Sequence, residues 1–383
     1  MASPAPAAPP AETARLVVPG APNDKSRSLG ARGRRPRGRG QRGRSGVVAA
    51  VLGLALAASV LLAIAIGPAD LSPAEVLASV LHHLGLGGLF GLEPLSPLRD
   101  GIVWELRLPR VLTAAAVGAG LALCGTVMQA LMRNPLADPY LLGLSSGASL
   151  GAVSVIVLGA AIALPVAAFL GALLALGATL LLAGGGGLSP SRTILGGLAV
   201  SAIFGALTSL VIFWSATGDS YREILNWLLG SLAGARWPAV VIAGTALLVI
   251  GLPLLFSGTV LDAFAFGDTA ASALGIPVTR VRWLLLGATA LLTGALVAVS
   301  GAIGFVGLVL PHAVRLLVSR GGAGPGHQAL LPLSALAGAI FLVWMDTGAR
   351  TLFDPRELPV GILTAIVGGP VFALIMLRNR RVG

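Results

Sequence analysis

Long apolar runs alternate with short polar corners along most of the chain. The run Val111–Met132 holds roughly 22 residues, and at about 1.5 Å per residue a helix of that length crosses a bilayer. It stops at the polar corner Arg133-Asn134-Pro135, after which a second apolar run begins. Ten such runs predict ten membrane-spanning helices: Val47–Ile66, Val111–Met132, Tyr140–Leu158, Ala161–Ala183, Ile194–Trp214, Ala239–Leu255, Trp283–Val299, Ile303–Val318, Ala329–Trp344 (extended to Arg350) and Val360–Leu377.

Composition agrees with an all-α integral membrane protein. The chain of 383 residues is 56% hydrophobic and only 11% charged, whereas an ordinary soluble domain is about one quarter charged. The single cysteine, Cys124, lies inside an apolar run, which predicts a small packing residue rather than a disulfide or a thiolate metal site. No metal site and no cofactor is predicted.

The net charge of +11 is concentrated at one end of the chain. Ten of the 26 basic residues lie in positions 1–46, which are rich in Pro, Ala, Gly and Arg and lack hydrophobic periodicity. We predict a disordered tail there, held in the cytoplasm by the positive-inside rule, and a membrane domain over 47–383. With ten spans, both termini are cytoplasmic. The pair Arg34-Arg35 lacks the hydrophobic continuation of a twin-arginine export signal, so no such signal is predicted. Arginines before a span usually set the membrane topology, so no nucleic-acid partner is predicted for the tail.

The predicted outer segments are unusually rich in arginine. Arg107 and Arg110 stand three residues apart at the start of the second span, and Arg350 ends the ninth. Held together, they would form a cationic site for acidic side chains. Arginines at helix ends also commonly extend to lipid headgroups. Spacing alone leaves both interpretations open.

A short helix is predicted outside the membrane at Ser72–Gly85. Ser72 and Glu75 have the spacing of a capping box. His82 and His83 are adjacent and so point about 100° apart on a helix, which disfavours a shared metal ion.

A second short segment, Leu261–Val278, lies on the predicted inner side. It is too short and too polar to cross the membrane, but it carries apolar residues that are expected to be exposed, namely Leu261, Phe264, Phe266, Ala270 and Leu274. This composition favours a protein-binding surface. A helix lying on the lipid surface is the alternative.

Small residues and repetition give further predictions. Gly143, Gly147 and Gly151 recur every four residues, which predicts a helix face for close packing. The pattern of Gly125–Gly151 returns loosely in Gly301–Gly338 with the opposite predicted orientation. Inverted repeats of this kind are typical of transporters.

Four motifs resemble those of a known family. They are RLPR at 107–110, GxxMQxxxRNPLADPxLLGLSSGA from Gly125 to Ala148, GFVGLVLPHAVR at 304–315 and ELPVGILTAIVGGPVF at 357–372. The chain is similar to the permease subunits of ATP-binding-cassette (ABC) importers for iron–siderophore complexes, haem and cobalamin. The resemblance covers roughly residues 50–380. It implies the type II importer architecture, in which a ten-helix permease with inverted repeats dimerises with a second copy or a paralogous permease in the cytoplasmic (inner) membrane.

The resemblance also implies partners and contact residues. An extracytoplasmic solute-binding protein is expected to dock on Arg107, Arg110 and Arg350. ATP-binding-cassette ATPase subunits are expected to bind coupling helices at about 259–278, where the matched positions are Gly267, Asp268, Ala270, Leu274 and Gly275. ATP hydrolysis is assigned to those subunits because this chain has no Walker lysine, so the chain is not expected to be an enzyme.

Polar residues inside the spans are candidates for the pathway. Ser201, Thr208 and Ser209 lie on the fifth span, although hydrogen bonds to the preceding helical turn explain such hydroxyls at least as well. Gln129 and Asp346 are costly in a membrane unless paired, and we interpret both as structural hydrogen-bonding residues. For the cargo, iron–siderophore is expected because most family members handle it, with haem and cobalamin as alternatives.

Two functions of other classes were weighed against import. The sequence Gly143-Leu-Ser-Ser-Gly147 matches G-x-S-x-G, so Ser145 with His312 suggests an intramembrane serine protease, but a nucleophile elbow needs a strand-to-helix turn. A self-contained secondary transporter needs several buried titratable groups, and Asp346 is the only acidic residue well inside a predicted span. Both are weaker than the importer interpretation.

Overall fold

The computed structural model describes residues 38–159, 162–184, 190–215, 218–319 and 325–379, and these ranges contain helices and turns but no strand. The helices are α1 (Gly38–Ala65), α2 (Pro73–His83), α3 (Pro97–Gly101), α4 (Leu108–Leu131), α5 (Leu144–Leu158), α6 (Leu164–Gly184), α7 (Pro190–Ser215), α8 (Gly218–Leu228), α9 (Trp237–Ala246), α10 (Leu252–Leu255), α11 (Gly258–Ala265), α12 (Asp268–Ala273), α13 (Val278–Ser300), α14 (Val306–Val318), α15 (His327–Thr351) and α16 (Val360–Asn379). Two π-helical turns, Ile102–Arg107 and Leu247–Gly251, continue directly into α4 and α10. The all-α prediction is confirmed.

Eight helical stretches in the described ranges are long and apolar enough to cross a membrane. They are Arg44–Ala65, Pro97–Leu131, Leu164–Gly184, Pro190–Trp214, Trp237–Leu255, Val278–Ser300, His327–Thr351 and Val360–Leu377. Helices α5 and α14 are apolar but have only 15 and 13 residues. The predicted ten therefore divide into eight long and two short helices.

The two short helices begin later than the sequence predicts. Gly143 and Phe305, which directly precede α5 and α14, have φ of +79° and +69°. This left-handed conformation cannot continue a right-handed α-helix. The predicted spans Tyr140–Leu158 and Ile303–Val318 were therefore too long at their N-terminal ends.

Helix α4 lies at the centre of the bundle and contacts α9, α13, α14 and α15. Two glycine pairs allow these close approaches. A Cβ on Gly118 would overlap the carbonyl oxygen of Gly338 on α15, and one on Gly125 would overlap that of Gly307 on α14. Larger side chains would push the helices apart, so small residues fix the position of α4.

Helix α5 packs against α6 through two of the three predicted glycines. Gly147 faces the backbone of Gly171, and Gly151 faces the backbone of Ala167. Gly143 is not on this helix face, because it forms the left-handed turn before α5. The spacing of four residues predicted one face, but only the last two glycines lie inside the helix.

The interrupted segments before α5 and α14 meet inside the bundle. The hydroxyl of Tyr140 donates to the carbonyl oxygen of Ile303 (3.0 Å) and accepts from its N–H (3.2 Å). Asp138 accepts from the N–H of Tyr140 at 2.9 Å. Each interrupted segment follows a long helix, α4 or α13, and precedes a short one. This arrangement agrees with the predicted repeat.

Candidate functional sites

Two of the three predicted docking arginines cap the C-terminal end of α1. Arg107 donates to the carbonyl oxygens of Ile64 (2.8 Å) and Ala65 (3.0 Å), and Arg350 donates to that of Ala63. The last carbonyls of a helix have no partner within the helix, and a cation there also complements the helix dipole. The guanidinium groups therefore fix α1 against α4 and α15.

The third arginine, Arg110, forms a buried ion pair between α4 and α15. Its Nε and Nη2 donate to the two carboxylate oxygens of Asp346 at 2.9 and 3.0 Å, and its Nη1 donates to Glu357 at 2.8 Å. The side chain of Asp346 is 1% exposed, whereas that of Glu357 is 46% exposed. Two parallel bonds to one carboxylate are the strongest arrangement that arginine makes. The prediction that Asp346 is a structural hydrogen-bonding residue is confirmed.

We call these three arginines with Asp346 and Glu357 the arginine cluster. Arg107 and Arg350 bind neighbouring carbonyl oxygens at the end of α1, and Arg110 binds Asp346, about one helical turn before Arg350 on α15. The fold therefore brings the predicted docking residues together. Arg107, Arg110 and Arg350 are nevertheless buried, contrary to the expectation of an exposed site at the mouth of the protein. Burial follows from their internal partners, and it also argues against extension of these side chains to lipid headgroups.

The predicted coupling region lies at the opposite end of α4. It consists of α11 and α12, separated by Gly267 at φ +99°, and we call Gly258–Gly275 the coupling segment. Asp268, the first residue of α12, accepts from Arg282 at 2.7 Å and lies 3.6 Å from Arg133. Arg282 also lies 5.4 Å from the ring centre of Phe264. These contacts fix α12 to the ends of α4 and α13.

The coupling segment presents apolar side chains outward. Phe266 is 82% exposed and Leu274 is 71% exposed, while Ala270 is half-buried. Leu261 and Phe264 are buried in the core, so the expectation that they are exposed was wrong. Gly275 follows α12 at φ +80°, a conformation that suits glycine at a helix end. A short helix that is anchored on one side and apolar on the other is suited to binding a partner protein.

A further contact anchors the coupling segment to α15. Asp262 accepts from the backbone N–H of His327 at 2.9 Å and lies 2.7 Å from its Nδ1. The carboxylate therefore caps the N-terminus of α15 from a different helix. No local motif predicts this pair, because the two residues lie 65 positions apart in the chain.

Several polar residues inside the spans make hydrogen bonds within the protein, either to another helix or to the preceding turn of their own helix. Gln129 donates to the carbonyl oxygens of Gly307 (3.3 Å) and Leu308 (3.2 Å) and accepts from Arg315 (2.9 Å), so its predicted structural role is confirmed. The candidate pathway residues Thr208 and Ser209 donate to carbonyl oxygens one turn earlier, at 2.8 and 3.0 Å. Ser201 is half-buried on the same helix, and Ser209 is exposed.

The arrangement around Ser145 is not a nucleophile elbow. Ser145 lies in the first turn of α5, and its carbonyl oxygen accepts from the hydroxyl of Ser149 at 2.9 Å. The residue before this helix, Gly143, follows a 3-10 turn rather than a strand. A serine nucleophile at a sharp strand-to-helix turn is therefore not formed here.

Comparison with known proteins identifies the family. The model of the FecCD transport family matches residues 55–378 of the chain, which include both α4 and the coupling segment. The chain belongs to the FecCD transport family. It is therefore a transmembrane permease of an ABC importer, and neither the protease nor the self-contained secondary transporter is supported.

Similar FecCD proteins come from several organisms. An uncharacterised ABC transporter permease protein, YvrB of Bacillus subtilis, is 42% identical over 86% of this chain and 92% of its own length. The cobalamin import system permease protein BtuC of Halobacterium salinarum is 44% identical over 73% of this chain and 74% of its own. The Fe(3+)-citrate import system permease protein YfmD of Bacillus subtilis is 38% identical over 80% of this chain and 94% of its own.

A solved structure has the same fold. It is an inward-facing conformation of a metal-chelate type ABC transporter, with a TM-score of 0.75 and 32% sequence identity over 87% of this chain and 99% of that one. The type II importer architecture predicted from the sequence is thereby confirmed. The predicted disordered tail at 1–46 precedes the matched residues, and positions 1–37 lie outside the described ones. Positions 38–46 are helical, because α1 begins at Gly38, so the prediction of disorder was wrong for this part.

Proposed function

We propose that this FecCD permease imports ferric chelates, above all iron–siderophore complexes, from an extracytoplasmic binding protein into the cytoplasm by alternating access. Support for iron comes from the similarity to a Fe(3+)-citrate permease. The similarities to a cobalamin permease and to a hemin permease make cobalamin and haem the alternatives. ATP closes a pair of partner ATPases, and the two permease copies change conformation because ATP and the loaded binding protein favour different states.

The proposed cargo is tested by transport into proteoliposomes. The permease is reconstituted with its ATPase, with ATP inside and the binding protein outside, and uptake of ferric siderophores, ferric citrate, haem and cobalamin is compared. We expect ATP-dependent uptake with the highest kcat/KM for a ferric siderophore. A higher value for cobalamin or haem would establish that alternative, and uptake without ATP would contradict an ABC importer.

The proposed ATPase contact is supported by the geometry of the coupling segment. Asp268 and its arginines hold α12 rigidly, so movement of a bound ATPase is passed to α4 and α13 rather than absorbed by a loop. The substitution Ala270→Arg places a long cation on the presented surface. We expect it to abolish copurification of the ATPase while the permease remains in the membrane.

The matched control is Thr279→Arg, which adds the same side chain at an exposed position on α13, outside α12. ATPase binding in this variant is expected to be retained. If the ATPase still copurifies stoichiometrically with Ala270→Arg, α12 is not the contact. Loss of the ATPase from both Ala270→Arg and Thr279→Arg would also contradict a contact specific to α12.

The proposed docking of a binding protein on the arginine cluster requires an exchange of partners. Glu357 is the exposed carboxylate of the cluster, so it is the group that an incoming carboxylate would displace from Arg110. Glu357→Gln is therefore expected to strengthen docking. Arg107→Glu and Arg350→Glu are expected to weaken it by a few kcal/mol.

Docking is measured by binding of the purified binding protein to permease complexes in nanodiscs. Arg222→Glu is the control, because Arg222 is exposed on α8 and belongs to no contact in the cluster. Unchanged affinity in Glu357→Gln and in both cluster reversals would overturn the docking proposal. Loss of affinity in Arg222→Glu as well would indicate only a general charge effect.

The proposed topology places the arginine cluster outside and the coupling segment inside the cytoplasmic membrane. Its support is the basic segment before α1 together with the positive-inside rule. A second permease copy is proposed to pair with this one around the pathway. Labelling of cysteines introduced near each terminus by a membrane-impermeant reagent tests the topology, and labelling of either terminus in intact cells would contradict it.

A further inference from the structure

An exposed apolar lip follows α2 on the side of the arginine cluster. It consists of Leu84, Leu86, Leu89 and Phe90, in and before the 3-10 turn Gly87–Phe90. Leu89 and Phe90 are 78% and 65% exposed. An exposed apolar patch in such a short segment is typical of a site that contacts another protein or the membrane.

The lip is a preformed turn. Gly85 and Gly91 have φ of +75° and +60°, which glycine adopts at no steric cost. His82 donates from Nε2 to the carbonyl oxygen of Leu92 at 2.8 Å, and its ring lies so close to Gly87 that a Cβ there would come 2.6 Å from Nδ1. The backbone and His82 therefore hold the apolar side chains outward before any partner is present.

Aromatic contacts indicate the depth of the lip relative to the membrane. His83, the last residue of α2, stacks on Trp104 with ring centroids 3.9 Å apart, and Trp104 lies 4.8 Å from Trp237. Trp237 is the first residue of the span Trp237–Leu255. Tryptophans at the ends of spans lie at the level of the lipid headgroups. The lip begins at Leu84, directly after His83, and therefore starts at this level.

The charges around the lip indicate the kind of partner. Residues 71–98 contain no Lys or Arg, and Glu75 and Glu93 are the only acidic residues among them. The next two residues, Arg99 and Asp100, are paired with α2, since Arg99 donates to Glu75 and Asp100 accepts from Ser79. Surface helices that bind anionic lipid use Lys and Arg, whereas apolar insertion needs neither. We propose that the lip inserts into the adjacent leaflet of the bilayer, which is the outer leaflet in the proposed topology, and anchors the α2 region by apolar burial alone.

The test uses a single spin label in the full-length permease reconstituted in lipid nanodiscs. Cys124, the only cysteine of the sequence, is buried, so Cys124→Ala provides a thiol-free background. A label at Leu89→Cys is expected to lie about 5–10 Å below the headgroup boundary. Its depth is measured by comparing the collision rate of the label with oxygen and its collision rate with a water-soluble nickel chelate. A label at Phe90→Cys gives an independent reading if one variant folds poorly.

Two control positions calibrate the depth. Ala74→Cys, exposed in the first turn of α2, is expected to be fully accessible to the nickel chelate. Leu54→Cys, exposed on the span Arg44–Ala65, is expected to lie deep in the hydrocarbon. The same depth for Leu89 is expected in neutral and in anionic nanodiscs.

A label at Leu89 that is as accessible as the one at Ala74 would overturn the proposal. If the binding protein or a second permease copy then protects the label, the lip is a docking surface for that protein. A depth that appears only with anionic lipid would overturn apolar insertion.

Discussion

Two aspartate–arginine ion pairs, one at each end of α4, show how burial changes what such a pair contributes to stability. Asp346 and Asp268 each accept from an arginine whose side chain is only 10% exposed, Arg110 in the first case and Arg282 in the second. Asp346 is itself 1% exposed, whereas Asp268 is 44% exposed. One pair is enclosed by helices, and the other has water on one side.

The difference indicates which of the two ion pairs stabilises the fold and which one orients a surface helix. Removing one partner of an enclosed pair leaves a charge without water or counter-ion, which is strongly destabilising. Removing one partner of a half-exposed pair leaves a charge that water solvates, at little cost. We therefore expect the Arg110–Asp346 pair to hold the fold and the Arg282–Asp268 pair to orient α12.

The largest expected effect is that of Asp346→Asn. The neutral amide leaves Arg110 without its enclosed counter-ion, and we expect a loss of about 3–5 kcal/mol in the free energy of unfolding. The measurement is denaturant unfolding of the permease in detergent. Glu357→Gln, which removes the exposed partner of the same arginine, is the control and is expected to cost less than about 1 kcal/mol.

A double variant completes the test of the enclosed pair. Arg110→Gln combined with Asp346→Asn removes both charges and is expected to be more stable than Asp346→Asn alone. If Asp346→Asn costs no more than Glu357→Gln, burial does not decide how much each carboxylate of this arginine contributes to stability.

The next effect concerns function rather than stability. Asp268→Asn is expected to lower the free energy of unfolding by at most about 1 kcal/mol. It frees α12 from Arg282 and Arg133, so the ATPase activity stimulated by the loaded binding protein is expected to fall several-fold. Asp268→Glu keeps the charge and is expected to restore part of that stimulation. A large loss of stability in Asp268→Asn with normal stimulation of ATPase activity would show that this pair stabilises the fold instead of orienting α12.

Ionic strength distinguishes the two pairs without mutating both partners. At about 1 M salt the screening length is about 3 Å, which weakens exposed pairs far more than enclosed ones. The stability difference between the native protein and Asp268→Asn is therefore expected to shrink towards zero. The difference for Asp346→Asn is expected to persist. Equal attenuation of both differences would show that water reaches Asp346.

The smallest effect is expected at a carboxylate on the surface. Hydrogen bonds from the backbone and side chain of Ser72, with Arg99 nearby, lower the pKa of Glu75 below its ordinary value of 4.5. A lowered pKa stabilises the folded cap above the ordinary value, and this stabilisation is lost as the pH falls through the lowered value. As the pH falls through the lowered pKa of Glu75, amide hydrogen exchange at the start of α2 is expected to accelerate. No such acceleration is expected in Glu75→Gln. Exchange that is independent of pH in both, after correction for intrinsic rates, would contradict the cap.

Local features of this protein were determined by the sequence alone. The apolar runs predicted the long helices because hydropathy acts within one segment. The capping box of Ser72 and Glu75 formed as predicted, because its groups are three residues apart. The family motifs also identified an importer permease, since they are long and occur in order.

Only the tertiary structure decided which residues are partners and how far they are buried. Arg110 and Asp346 are 236 positions apart, and the packing of α15 on α4 brings them together. The sequence predicted that Asp346 has a partner, because an unpaired charge in a membrane is costly. It did not predict that the partner is Arg110. Arg107 was predicted at an exposed end and is buried, because it satisfies the last carbonyls of α1. Side chains near in sequence interact through fixed local geometry, whereas distant partners depend on helix packing.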